Sequence, residues 1–162
     1  VQAVLSGGGC VTVYSDNAYQ SYDLDFIENL PTPIKKLTEI MCRLGFDPKS
    51  RYFVHPQTPY FVEFPPGPLS IGDEPATEII ERRYDTGVLT LISPTECVKD
   101  RLAAYYHWND RQCLRQAELV ARCEGINLAE VERWSKHEGK GPEFARIRHL
   151  LVSKPPYGRQ EP

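Results

Sequence analysis

Two short segments carry the residue types that phosphoryl chemistry needs. Leu5-Ser6-Gly7-Gly8-Gly9-Cys10 is glycine-rich, and Ser21-Tyr22-Asp23-Leu24-Asp25-Phe26 sets two carboxylates two positions apart. On a strand, residues i and i+2 share a face, so Asp23 and Asp25 stand side by side. Like charges that close repel unless a cation lies between them. Mg²⁺, or Mn²⁺ in its place, meets that need, because such an ion takes oxygen ligands from protein carboxylates and from substrate phosphates together. The glycines precede the start of a helix, whose free backbone N–H groups and positive dipole end attract a phosphate. A phosphate cradle beside a metal site is a layout for phosphoryl transfer. Each half alone has a plainer reading, the carboxylates as a solvated strand face and the glycines as a tight turn.

A sheet must hold these segments. Residues 1–5 are short and apolar, residues 21–27 alternate, and residues 52–54, 60–64, 78–84 and 88–92 are strand-like runs punctuated by Pro and Gly. Between them Ile34, Leu37, Ile40, Met41 and Leu44 recur at helical spacing, with Gly45 where a C-terminal cap belongs. The pattern predicts strand, helix, strand, helix, then several strands. After Ser93 it turns helical. In Ser93-Pro94-Thr95-Glu96 the Ser hydroxyl can accept from the third backbone N–H, Glu96 can reach back to the cap, and Pro94 sits where its missing donor is harmless. Helices are predicted from 94 to about 107, from 110 to 123 before Gly125, from Asn127 onward, and from 142 to about 152. The fold class expected is α+β: a small mixed sheet with flanking helices over 1–93, a C-terminal helical bundle over 94–153, and a flexible tail over 154–162.

Composition narrows the function classes. The 162 residues are 41% hydrophobic and 25% charged, with a net charge of −3, an ordinary globular makeup long enough for one domain or two packed lobes. No apolar run approaches the roughly 18–20 residues that cross a bilayer, so no membrane partner is expected. Residues 1–93 carry 7 Lys or Arg against 12 Asp or Glu, whereas residues 94–162 carry 12 against 10. Any nucleic-acid partner would therefore be handled by one face. The five cysteines are an odd set without a Cys-x-x-Cys pair, which points to a reduced, cytoplasmic compartment rather than a disulfide framework or zinc ribbon.

Gly7-Gly8, an apolar helix start and then Asp23-Leu24-Asp25 resemble the signature of the DNA polymerase β-like nucleotidyltransferase superfamily. A third carboxylate flanked by apolar residues comes later in that superfamily, and Phe61-Val62-Glu63-Phe64 nominates Glu63. More narrowly, the chain is similar to small bacterial nucleotidyltransferase-like proteins related to the toxins of type IV toxin–antitoxin (abortive infection) systems. Lys99-Asp100-Arg101-Leu102-Ala103-Ala104 and Asn109-Asp110-Arg111 match their helical segment. The resemblance covers about residues 1–120. It implies the nucleotidyltransferase fold and transfer of a nucleoside monophosphate from an NTP to a hydroxyl on RNA (tRNA among the candidates), a protein or a small molecule. Asp23, Asp25 and Glu63 would be catalytic and hold Mg²⁺ or Mn²⁺. Gly7, Gly8, Ser21, Arg101 and Asp110 would bind the nucleotide, and a cognate antitoxin or other regulatory partner is implied.

Related sequences carry an Arg where this chain has Gln20, and a helix precedes their first strand, so a native domain longer than 162 residues is expected. Gln20 favours the alternative function, a degenerate nucleotidyltransferase fold that binds or regulates without turnover. Other features have plain readings. Cys10 at a helix N-terminus is a candidate nucleophile but reads first as a small buried residue. Trp108 is expected in the core, with Asn109 or Asp110 capping the next helix. Arg82-Arg83 and Lys35-Lys36 are expected to be solvated, and Tyr105, Tyr106 and Trp134 to form bundle core.

Overall fold

The glycine segment turns a strand directly into a helix: β1 (Ala3–Ser6) runs into α1 (Gly7–Tyr14) with no connecting loop. The structure is a computed structural model and describes residues 2–152. By composition α1 is a poor helix, three glycines followed by β-branched Val11, Thr12 and Val13. Burial makes it. Cys10, Val11 and Tyr14 are fully buried, and the Tyr14 hydroxyl donates to the carbonyl of Ile92.

The later strands are β2 (Asp23–Glu28), β3 (Asp47–Lys49), β4 (Tyr52–Val54), β5 (Phe61–Glu63), β6 (Ser70–Ile71), β7 (Glu74–Pro75), β8 (Ile79–Tyr84) and β9 (Gly87–Ile92). Seven strands form one mixed sheet in the order β3-β4-β5-β2-β1-β9-β8, while β6 and β7 pair separately as a hairpin. The β1–β9 and β2–β5 pairs are parallel and the other pairs antiparallel. Helix α2 (Ile34–Arg43) crosses between β2 and β3. Its Leu37 and Met41 pack with Phe53 and Val62 on one face of the sheet.

Four helices complete the α+β fold: α3 (Pro94–Trp108), α4 (Arg111–Cys123), α5 (Leu128–His137) and α6 (Gly141–Leu151). The first three of these start on capping chemistry. Ser93 accepts from Glu96 N, Asp110 from Gln112 N and Cys113 N, and Asn127 from Glu130 N. One continuous core joins helices to sheet, with Val4, Leu5 and Val11 packed among Val98, Leu102, Val120, Val131 and Trp134. Tyr106 stacks on Trp134 at 6.0 Å, and the indole N–H donates to Ile71 O at 3.2 Å. That bond ties the β6–β7 hairpin to α5.

Several expectations need correction. The sheet is one strand wider than predicted, by β3, and a separate hairpin of β6 and β7 is added, because these strands are too short and, in β3 and β7, interrupted by Pro, to show an alternating pattern. Glu96 does not close a capping box: its Oε1 accepts from Thr77 N at 3.4 Å and its Oε2 lies 3.0 Å from Lys99 Nζ, without the alignment of a hydrogen bond. Trp108 is 77% exposed, not core, since Asn109 leaves the helix in the left-handed region just after it. Arg82 is not a free solvated charge but pairs with Glu124 and lies 4.8 Å over the Tyr14 ring. The tail, 154–162, lies outside the described residues. Among the described residues no helix is long and apolar enough to cross a membrane.

Candidate active site

Sheet register assembles the site. In β2, Asp25 has Ser6 of β1 as its partner on one side and Glu63 of β5 on the other, while Asp23 is level with Phe61. Partners in register share a face, so Asp23, Asp25 and Glu63 lie together. The row continues outward through Tyr52 to Lys49 at the sheet edge. Alternation sends Leu24, Phe26 and Val62 to the opposite face, against α2. A one-residue slip of β5 would turn Glu63 into that apolar layer.

The glycines sit against these carboxylates. Gly7 has φ +65°, a conformation that side chains disfavour, and a Cβ there would stand 2.8 Å from Asp25 Oδ2 and 3.8 Å from Arg101 Nη2. At Gly8 a Cβ would meet Ser21 Oγ at 2.8 Å. Ser21 is fixed by two bonds: its N–H donates to Thr12 Oγ1 at 2.8 Å, and its hydroxyl donates to Asp23 O at 3.1 Å. Ser6, at the N-cap of α1, makes no capping bond and donates instead to Asp25 O at 3.4 Å, and the first turn holds no acidic residue. The start of α1 thus has no side-chain cap on its first N–H groups, the kind of helix end that attracts an anion.

The electrostatics follow from crowding. Burial, then the charges of Asp23 and Glu63, pushes the Asp25 carboxyl up to about 6 against the opposing pull of Arg101. Asp23 is also raised, by burial and by Glu63, with Arg51 opposing. Asp23 Oδ1 is buried without a hydrogen-bond partner. Glu63 pairs with the exposed Arg51 at 3.3 Å. Among the described residues no three His, Cys, Asp or Glu side chains form a ready cage around one point.

A cleft of about 340 Å³ opens beside Asp25, lined by Ser6, Gly7, Asp100, Arg101 and the Pro-rich segment 65–71. Arg101 is the cation of this cleft. Burial works against its charge, yet Asp100 accepts from its Nε at 3.0 Å and its Nη2 at 2.5 Å, and the guanidinium pKa stands above its ordinary value. Gln116 Oε1 accepts a third bond, from Nη1 at 3.4 Å.

Of the residues nominated from sequence, Gly7, Asp25 and Arg101 line the cleft, and Asp23, Glu63, Gly8 and Ser21 stand next to that group. Asp110 does not join them. Its carboxylate caps α4 at 2.8 and 3.2 Å and accepts from the Cys113 thiol at 3.3 Å, contacts that hold its pKa below the usual range. Cys10 is no nucleophile: its thiol donates to Leu5 O at 3.1 Å, and burial raises its pKa well above the ordinary value. Gln20 reaches the Tyr60 hydroxyl at 2.7 Å and Tyr22 at 3.3 Å, at the rim beside Asp23. Lys99 is 2% exposed and bound to Glu96 and Glu130, a structural position. Sequence reasoning missed Arg51, Asp100 and Gln116. Adjacency to Arg101 was the one signal for Asp100, and Gln116 has none. Comparisons with protein-family models, with curated proteins and with solved structures gave no match.

Proposed function

We propose that this chain has the nucleotidyltransferase fold of the DNA polymerase β-like superfamily and is a metal-dependent nucleotidyltransferase, moving a nucleoside monophosphate from an NTP to a hydroxyl acceptor. One observation carries the reading: three carboxylates share a sheet face in register, with Asp25 pressed against the positive-φ Gly7 that opens an uncapped helix. The donor set fits a hard divalent cation. An orphaned buried Asp23 oxygen and two carboxyls with raised pKa are the marks of a site built around positive charge. Asp23, Asp25 and Glu63 would hold Mg²⁺ or Mn²⁺, which when bound neutralises the triphosphate and stabilises the attacking and leaving oxygens.

The chain's own residues do the rest. Gly7 and Gly8 let backbone N–H groups approach the β and γ phosphates, where a Cβ would already collide. Arg101, fixed by Asp100 and Gln116, faces the same phosphates from α3 with a charge that cannot titrate away. The acceptor oxygen bonds to the α-phosphorus as the bond from that phosphorus to the α–β bridging oxygen breaks, and pyrophosphate leaves. Glu63 takes the proton of the acceptor hydroxyl, at the end of the carboxylate row open to Tyr52. Such a transfer asks mainly for positioning and charge neutralisation.

A binding protein without turnover is the second reading, favoured by one contact: Glu63 is already paired with Arg51. Incubation with Mg²⁺ or Mn²⁺, each labelled NTP and total tRNA separates the two. Metal-dependent pyrophosphate release that Asp23→Ala with Asp25→Ala abolishes supports the enzyme. A metal-dependent thermal shift by an NTP with no release supports the binding protein.

A further inference from the structure

Beyond the cleft, α4 and the loop before β2 enclose a second pocket of about 310 Å³, lined by Ala18, Tyr19, Gln112, Arg115, Gln116 and Leu119. It borders the glycine turn, since a Cβ on Gly8 would lie 3.8 Å from Tyr19 Cε1. Gln116 joins the two cavities. It is 4% exposed, its Oε1 accepts from Arg101 in the phosphate cleft, and it also lines this pocket. A guanidinium only donates, so the atom facing Arg101 must be the amide oxygen. Arg101 therefore fixes the amide's orientation. The Nε2 amino group has no hydrogen-bond partner among the described residues and is not sealed off from solvent, so it remains available as a donor to a ligand.

Resting on the nucleotidyltransferase reading, we propose that this pocket holds the base of the incoming nucleotide and that Gln116 selects a base with a carbonyl oxygen at the tested edge. Size agrees: a benzene-sized ring occupies a cavity of roughly 150 Å³, so about 310 Å³ admits a one- or two-ring base. Tyr19 supplies an aromatic wall and Arg115 a further donor. These donors suit O4 of uracil or O6 of guanine and oppose the exocyclic amines of cytosine and adenine.

The test is calorimetric titration of the whole chain, with Mg²⁺ present, against the α,β-methylene analogues of UTP, GTP, CTP and ATP, which cannot be cleaved at the reacting bond. The uridine and guanosine analogues should bind at least about fivefold more tightly than the other two, the effect of leaving one buried donor unmatched. Gln116→Glu, which turns an acceptor toward the pocket, should reverse the ranking. Tyr19→Leu should weaken all four without reordering them, and so keeps the test informative if the Gln116 variant fails to fold. Equal binding of all four by the unmodified chain, or tightest binding of the adenosine or cytidine analogue, overturns the pocket assignment and leaves the nucleotidyltransferase reading standing. Binding of none overturns both.

Discussion

Replacing Asp25 with Asn should stabilise the metal-free protein and at the same time abolish its response to Mg²⁺. The Asp25 carboxyl is raised from 3.8 to about 6 by burial and by the charges of Asp23 and Glu63. Holding it ionised at neutral pH therefore destabilises the fold by up to about 3 kcal/mol. Partial exposure screens that to about 1–2 kcal/mol. The sign follows from the raised folded value: the group's favourable contribution is complete below the unfolded pKa near 4 and is lost as pH rises through 6. Asn imitates the neutral form, so its advantage should appear at pH 7.5 and vanish near pH 4. For a domain of this size about 1–2 kcal/mol corresponds to roughly 3–6 °C in Tm. Thermal melts with EDTA at both pH values, then with Mg²⁺ titrated in at pH 7.5, read all of this. A variant that melts at or below the unmodified protein at pH 7.5, or whose gain persists unchanged at pH 4, would refute the claim that the carboxylates crowd one another.

Three further predictions rest on separate contacts. Lys99→Met strands the buried Glu96, now 3.0 Å from the ammonium, and removes one of the two cations that hold Glu130, and should cost about 3–5 kcal/mol in urea unfolding; a change under about 1 kcal/mol would contradict the structural role of Lys99. Gly7→Ala forces a Cβ onto φ +65° and against Asp25 Oδ2, so it should lower stability by about 1–2 kcal/mol and remove the thermal shift produced by NTP with Mg²⁺. The Glu130 carboxyl is held down at about 2, first by its hydrogen bond to Arg133 and then by Lys99. Its contribution is present above the unfolded value near 4.5 and is lost as pH falls toward 2, and the acid side of a Tm-against-pH curve should flatten in Glu130→Gln.

What could be read from sequence was what local chemistry dictates. The order strand, helix, strand, helix came from apolar runs and their Gly and Pro punctuation. The starts of α3, α4 and α5 came from Ser93, Asp110 and Asn127, whose side chains do cap. The Asp23–Asp25 face came from the two-residue period of a strand. What stayed hidden depends on distant partners. Glu96 and Lys99 look like surface residues of a capped helix until α5 brings Glu130 and Trp134 over them. Trp108 looks like core because of its size, but a left-handed Asn109 ends the helix beside it. The hairpin of β6 and β7 spans two residues per strand, too few for a period to register. Gln116 is one amide on an amphipathic helix, and only the fold sets it between Arg101 and a pocket.

The central claim is that Asp23, Asp25 and Glu63 with the Gly7–Gly8 turn form one phosphoryl-transfer site. Its most direct test is pyrophosphate release from α-labelled NTPs by the purified chain with Mg²⁺ or Mn²⁺ and total tRNA, followed alongside Asp23→Ala, Asp25→Ala and Glu63→Gln. The account predicts metal-dependent release, with label moved to an acceptor and at least about a hundredfold loss in each variant. No release, with or without metal-dependent NTP binding, or release that survives all three substitutions, would contradict it.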